Sequence, residues 1–135
     1  VLRERFAAAL GRAGGRMVAA GDAGAWVLEN ADEETGVDRA DLLIAETGTV
    51  VRTFESRESS RASLGRSRSV FLATEELLVA DLPAALRVLE ERHAAGRAYT
   101  LLITGPSRTA DIEKEPVVPA HGPRELVVVV ETEQV

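Results

Sequence analysis

Two short runs do most to limit what this chain can fold into: "YTLLIT", residues 99–104, and "ELVVVVE", residues 125–131. Both are apolar at nearly every position, so they lack the alternation of a strand with one wet face and suit strands buried on both sides. Such strands are usual in parallel sheets sheathed by helices. "VFLAT", 70–74, is another strand candidate, and between it and "YTLLIT" lies the clearest helix. There Asp81 is placed to cap, Pro83 fits the first turn, Leu82, Leu86, Leu89 and His93 share a face, and Gly96 is the stop. This strand–helix–strand unit over 70–104 and the apolar runs predict an α/β fold, an open, mostly parallel twisted sheet with helices on both faces.

The rest of the chain fits one domain. Its 135 residues, 45% of them hydrophobic, suffice for a single continuous core. A first helix is predicted where Leu2, Phe6, Ala9, Leu10 and Ala13 fall at helical spacing before the Gly14–Gly15 pair. The chain enters this pattern at Val1, so some N-terminal residues are expected to be missing. "RMVAA" has the length and bounding glycine of a strand, whereas "AWVLE" suits helix or strand. "ADLLIAE", 40–46, and "TVVRTF", 49–54, are expected as strands of a hairpin broken at Thr47–Gly48. Residues 55–69, "ESRESSRASLGRSRS", are nearly devoid of apolar side chains and are expected as a solvated loop.

Composition narrows the function. With 16 basic and 22 acidic residues the net charge is −6, a field that repels nucleic acids and anionic membranes alike. Arg52, Arg57, Arg61, Arg66 and Arg68 do make one basic stretch, but only Phe54 and Phe71 flank it, too few aromatics for stacking on nucleic acid. A solvated loop, or one that docks on an acidic partner, is the better account. Cysteine is absent, so this chain supplies neither disulfides nor thiolates for an iron–sulfur cluster, and any redox metal belongs to a partner. No apolar stretch approaches a bilayer span, and no signal-peptide pattern opens the chain; a cytoplasmic protein is expected.

Three polar constellations carry candidate chemistry. In "TGPSRTADIE", Gly105 permits close backbone approach, Pro106 stiffens the turn, Thr104, Ser107 and Thr109 offer hydroxyls, and Arg108 suits a phosphate or carboxylate. If "TADIE" opens a helix, its free N–H groups add to the attraction. The competing account is a capped helix in which Arg108 pairs with Asp111 or Glu113. "AETGT", 45–49, offers Glu46 as general base and the Thr47-Gly48-Thr49 backbone as an anion nest, or is simply a turn between strands. In "AHGPREL", His121 beside Gly122–Pro123 is either a proton shuttle at a sheet end or a plain loop histidine. His93 is assigned to packing. P-loop and GxGxxG patterns are missing, and the two histidines lack the spacing of a zinc site. On a helix, Asp111 and Glu113 would point apart.

"GVDRADLLIAETGTVV", "TGPSRTADIE" and "HGPREL", in that order, resemble the LUD domain of the lactate utilization proteins, most closely the LutC-type subunit, over residues 36–131. The resemblance implies a fold of the NagB/RpiA/CoA transferase-like superfamily. It also implies an accessory role beside iron–sulfur subunits that oxidise L-lactate to pyruvate, with the clusters held by those partners. Its motif positions fall on Glu46, Thr47, Gly48 and Thr49; on Thr104, Gly105, Pro106, Ser107, Arg108, Thr109, Asp111 and Glu113; and on His121, Gly122 and Pro123. A small anion held by these residues, with Glu46 and His121 as the proton-transfer pair, is the first expectation. The alternatives are a stand-alone isomerase or acyl/CoA transferase acting on a sugar phosphate or CoA thioester, with Glu46 as base or nucleophile, and a purely structural module. The chain departs from the family where a Leu-Pro-x-x-His stretch is usual, carrying Gly65 and Arg68 instead. Pro116 and Pro119 also replace more usual residues, which predicts a rigid loop there.

Overall fold

The computed structural model describes residues 1–54, 58–59, 64–92, 99–106, 109–111 and 123–132. Its elements are α1 Leu2–Arg12, β1 Arg16–Ala20, α2 Ala23–Asn30, β2 Thr35–Arg39, β3 Leu42–Ile44, β4 Thr49–Phe54 and β5 Arg68–Thr74. A 3-10 turn at Glu75–Leu77 then leads to β6 Leu78–Val79, α3 Leu82–Arg92, β7 Tyr99–Ile103, β8 Thr109–Asp111 and β9 Glu125–Glu131.

Four strands form a parallel sheet in the order β1–β9–β5–β2. The valine run explains why β9 lies inside it. Every residue from Leu126 to Val130 is fully buried, because alternate side chains meet different layers. Val127 and Val129 pack with Ala23 and Trp26 of α2, while Leu126, Val128 and Val130 join Phe6 and Leu10 of α1 and Phe71 of β5. The α/β class and the parallel sheet flanked by helices are thus as predicted.

Beside this sheet stands a second one, in the order β6–β3–β4–β7–β8. Only β3 and β6 pair parallel in it; β3–β4, β4–β7 and β7–β8 are antiparallel. Leu43, Val50, Leu101 and Ile103 face the parallel sheet and share its core, whereas Leu42, Ile44 and Val51 face Ala85 and Leu89 of α3. Here the sequence reading needs correction. Within "YTLLIT", Thr100, Leu101 and Ile103 are buried and Leu102 packs partly buried on the α3 side, but the strand sits in an antiparallel neighbourhood, and the unit over 70–104 joins two different sheets. Burial governs hydrophobic pattern; strand direction leaves no comparable mark.

"TADIE" does not open a helix. Its first three residues form β8, which pairs antiparallel with β7, Thr109 opposite Ile103. The argument that a helix would point Asp111 and Glu113 apart therefore does not apply. "AWVLE" lies in α2, where the Asp22 carboxylate accepts the Ala25 N–H at 3.0 Å and caps the first turn. β2 and β6 carry too few apolar residues to announce themselves. Asp81 caps the third helix as expected, accepting the Ala84 N–H at 2.9 Å; His93 and Gly96 lie outside the described residues. Within 55–69, Gly65, Arg66 and Ser67 are exposed and lie outside helix or strand, whereas Leu64 is buried and β5 starts at Arg68. Residues 55–57 and 60–63, Arg57 and Arg61 among them, lie outside the described residues.

Arg52 ties the two sheets together. From β4 its guanidinium reaches Asp38 of β2 at 3.1 Å and Asp41 at 3.4 Å, and its carbon centre lies 4.8 Å from the Phe54 ring centroid. Burial works against this charge, yet the hydrogen bond and field of Asp38, with help from Asp41, outweigh it and raise the Arg52 pKa.

Candidate functional site

The β3–β4 and β7–β8 turns lie side by side because β4 and β7 pair, with Val50 opposite Ile103. That register brings "ETGT" and "TGP" together through hydroxyls. Thr47 Oγ1 lies 2.6 Å from Thr49 Oγ1, which lies 2.7 Å from Thr104 Oγ1. Thr49, at 4% exposure, is the buried centre of this chain; Thr47 is exposed and Thr104 half-buried. Glu46 is exposed beside them, its backbone N–H held by the Ala80 carbonyl at 3.0 Å. The Gly48 N–H donates to the Ile44 carbonyl at 2.9 Å and so is already engaged within the turn.

Both motif glycines adopt the left-handed region, φ 69° at Gly48 and 76° at Gly105. The surface each approaches is helix α1. A Cβ at Gly48 would stand 2.3 Å from the Leu10 nitrogen, and one at Gly105 would stand 2.2 Å from the Ala13 carbonyl oxygen. One side of each turn is therefore filled by helix backbone, and the negative carbonyl end of α1 rests against Gly105. Sequence reasoning assigned Gly105 to close approach of a ligand; the close approach seen is to Ala13. The α1 residues that wall this region, Ala9, Leu10 and Ala13, were not anticipated as part of it. Their signal was present in the small residues Ala9 and Ala13, one turn apart, which permit backbone-to-backbone contact.

The turns sit at the amino end of the parallel sheet. Gly14, just before β1, would place a Cβ 3.5 Å from the Pro106 ring, and Gly15 would place one 3.3 Å from the Leu126 carbonyl at the start of β9. Pro123, buried ahead of β9, belongs to this same end. The general preference of open α/β sheets for ligands at carboxyl strand ends is thus not what places these motifs. At that opposite end, between β1 and β9, the protein's own Glu131 carboxylate accepts the Ala23 N–H at 3.1 Å and occupies the start of α2. A cavity of about 410 Å³ also lies away from the turns, bordered by Arg3, Glu4, Glu75 and Leu78.

Thr47, Gly48, Thr49, Thr104, Gly105 and Pro106 are therefore brought together, with Glu46 at their margin. For Thr109 and Asp111 the structure gives only a backbone position in β8. Ser107, Arg108, Glu113, His121 and Gly122 lie outside the described residues. Arg68, where the resembled family carries histidine, donates from Nε to Glu125 at 2.9 Å and from a terminal nitrogen to the Asn30 carbonyl at 3.0 Å. It fastens the start of β5 to β9 and to the end of α2. Among the described residues, no cluster of His, Cys, Asp or Glu forms a set of metal ligands.

Comparison with known proteins adds to this geometry. Lactate utilization protein C of Bacillus licheniformis is 34% identical over 109 residues, which are 78% of this chain and 44% of that protein. The protein of the same name from Halalkalibacterium halodurans is 33% identical over 110 residues, 78% of this chain and 48% of that one. The chain thus spans less than half the length of these relatives. In three dimensions it resembles a DUF162 family protein from Deinococcus radiodurans, with a TM-score of 0.64, 14% identity, and coverage of 97% of this chain and 96% of that one. Residues 5–130 match the LUD domain model, a span that takes in most of α1, both hydroxyl-bearing turns and nearly all of β9, and the chain belongs to the LUD domain family.

Proposed function

We propose that this chain acts in lactate utilization as a LutC-like accessory subunit of an iron–sulfur complex that oxidises L-lactate to pyruvate, and that it holds a small anion between the "ETGT", "TGPSRT" and "HGP" segments. The observation that carries this reading is the joining of two motif turns through Thr47, Thr49 and Thr104 in a chain similar to proteins named lactate utilization protein C. The hydroxyls supply donors, Arg108 supplies charge, and Glu46 and His121 form the proton-transfer pair. Iron–sulfur clusters, in this reading, belong to the partner subunits, since this chain has no cysteine. Because α1 closes one side of the turns, the ligand approaches from the side of the exposed Thr47.

Two measurements test this. Tagged protein from lactate-grown cells should bring down cysteine-rich partners; their absence would count against the complex. In calorimetry, Arg108→Ala should weaken carboxylate or phosphate binding about tenfold, the worth of one charge-assisted hydrogen bond, while barely moving the melting temperature. Loss of stability with no binding to lose would instead favour a structural role for the motif.

A further inference from the structure

The parallel sheet has two outer strands, β1 and β2, and the chain treats them differently. Along a strand the backbone groups of successive residues point to opposite sides. At β2, the Glu34 carbonyl and the Ala40 N–H bond toward β5, so Thr35, Val37 and Arg39 point outward. The Asp32 carbonyl accepts the Thr35 N–H at 3.1 Å and the Asp38 carboxylate accepts the Arg39 N–H at 2.7 Å, which blunts this edge. At β1, the Ala20 carbonyl accepts the Thr132 N–H on the β9 side, so the backbone groups of Met17 and Ala19 point away from the sheet. Among the described residues nothing bonds to them, and the strand, RMVAA, holds no proline or acid to shield them.

We propose that a second copy of this chain adds to that edge, β1 against β1 in antiparallel register about a twofold axis at Val18, to make one continuous sheet across a homodimer. The register is self-complementary. Met17 stands opposite the partner's Ala19, and each such pair joins two outward-pointing residues that exchange both of their hydrogen bonds. A chain of net charge −6 repels its own copy at a distance, so the seam needs opposite charges in facing positions. Val18 and Ala20 pack on the α2 side of the sheet, and Arg16, exposed, shares their face. Glu131 lies beside Ala20 in the sheet register and holds its carboxylate on that same face, accepting the Ala23 N–H of α2. The antiparallel register sets Arg16 opposite the partner's Ala20, with the partner's Glu131 one strand further on. That separation is two strand spacings, about 10 Å, across a single methyl group, and arginine and glutamate side chains span it together. Twofold symmetry makes the contact twice. Pairing of β1 with β2 would instead extend without end, and the engaged N–H groups of β2 oppose it.

Sedimentation equilibrium on the intact chain should show monomer passing to dimer through the micromolar range, with no larger species. Ala19→Pro removes an outward N–H that the monomer does not use, so it should weaken the dimer at least about tenfold while leaving the melting temperature nearly unchanged. Ala19→Lys, at the same exposed position, gives the same readout should proline impair folding. Arg16→Glu, which sets like charges across the seam, should also weaken the dimer about tenfold. The chain has no cysteine, so Val18→Cys adds a single thiol. Its two copies stand about 4.5 Å apart at Cα in this register, and mild oxidation should give a covalent dimer. Monomer at every concentration, or a dimer untouched by both Ala19 substitutions, would overturn the proposal. Cross-linking of Val37→Cys on β2 without cross-linking of Val18→Cys would overturn it too.

Discussion

At Gly48 a single added methyl group would meet the Leu10 nitrogen at 2.3 Å and the Ala9 carbonyl carbon at 2.6 Å, in a backbone conformation that L residues seldom adopt. Gly105 is in the same position against Ala13. Gly48→Ala and Gly105→Ala should each cost about 3 kcal/mol in urea unfolding, from positive-φ strain and overlap with rigid helix backbone. Gly11 is the contrasting case, inside α1 with nothing within 4 Å of its would-be Cβ. Gly11→Ala should stabilise by about 0.5 kcal/mol by restricting the unfolded chain. Equal effects at all three positions would refute the α1 contact. At this scale the sequence was legible in part: glycine flanked by threonines marks a turn that needs positive φ. Which surface presses on the turn was not legible, because close approach requires a missing side chain whatever the neighbour.

Among elements, the junction of the two sheets depends on Arg52. Arg52→Met keeps much of the stem over Phe54 but leaves Asp38 and Asp41 without their cation, at side-chain exposures of 18% and 31%. The substitution should lower stability by about 2 kcal/mol, less than for a fully buried pair because water reaches the carboxylates. A change below about 0.5 kcal/mol would place the link among surface ion pairs of little energetic weight. Sequence placed Arg52 in a basic stretch with four other arginines; the structure sets it apart from Arg66 and Arg68, since it lies in β4 and pairs with acids from β2 and the β2–β3 connection. "TADIE" shows the same limit. Its threonine and acids suit a helix start, yet β7 offers Thr109 an open edge and the segment extends as β8. Local propensity is outweighed when a neighbouring strand leaves backbone groups to be paired.

For the molecule as a whole, the slowest amide exchange should fall in β9. Val127–Val130 are fully buried and pair on both sides, with β1 and β5, whereas β2 is an edge strand whose Val37 is 42% exposed. Exchange as slow in β2 as in β9 would contradict this layering. The amino-acid sequence by itself determined the α/β class, the buried strands, the capped α3 and the motifs that point to the LUD family, because each is written in local composition or in burial of consecutive residues. Only the tertiary structure decided that β7 belongs to a second, largely antiparallel sheet and that the motif turns gather at the amino end of the parallel one. It also decided that Gly48 and Gly105 accommodate α1. These are matters of strand direction and distant contact, and a hydrophobic side chain is stabilised by removal from water whichever strand or helix covers it.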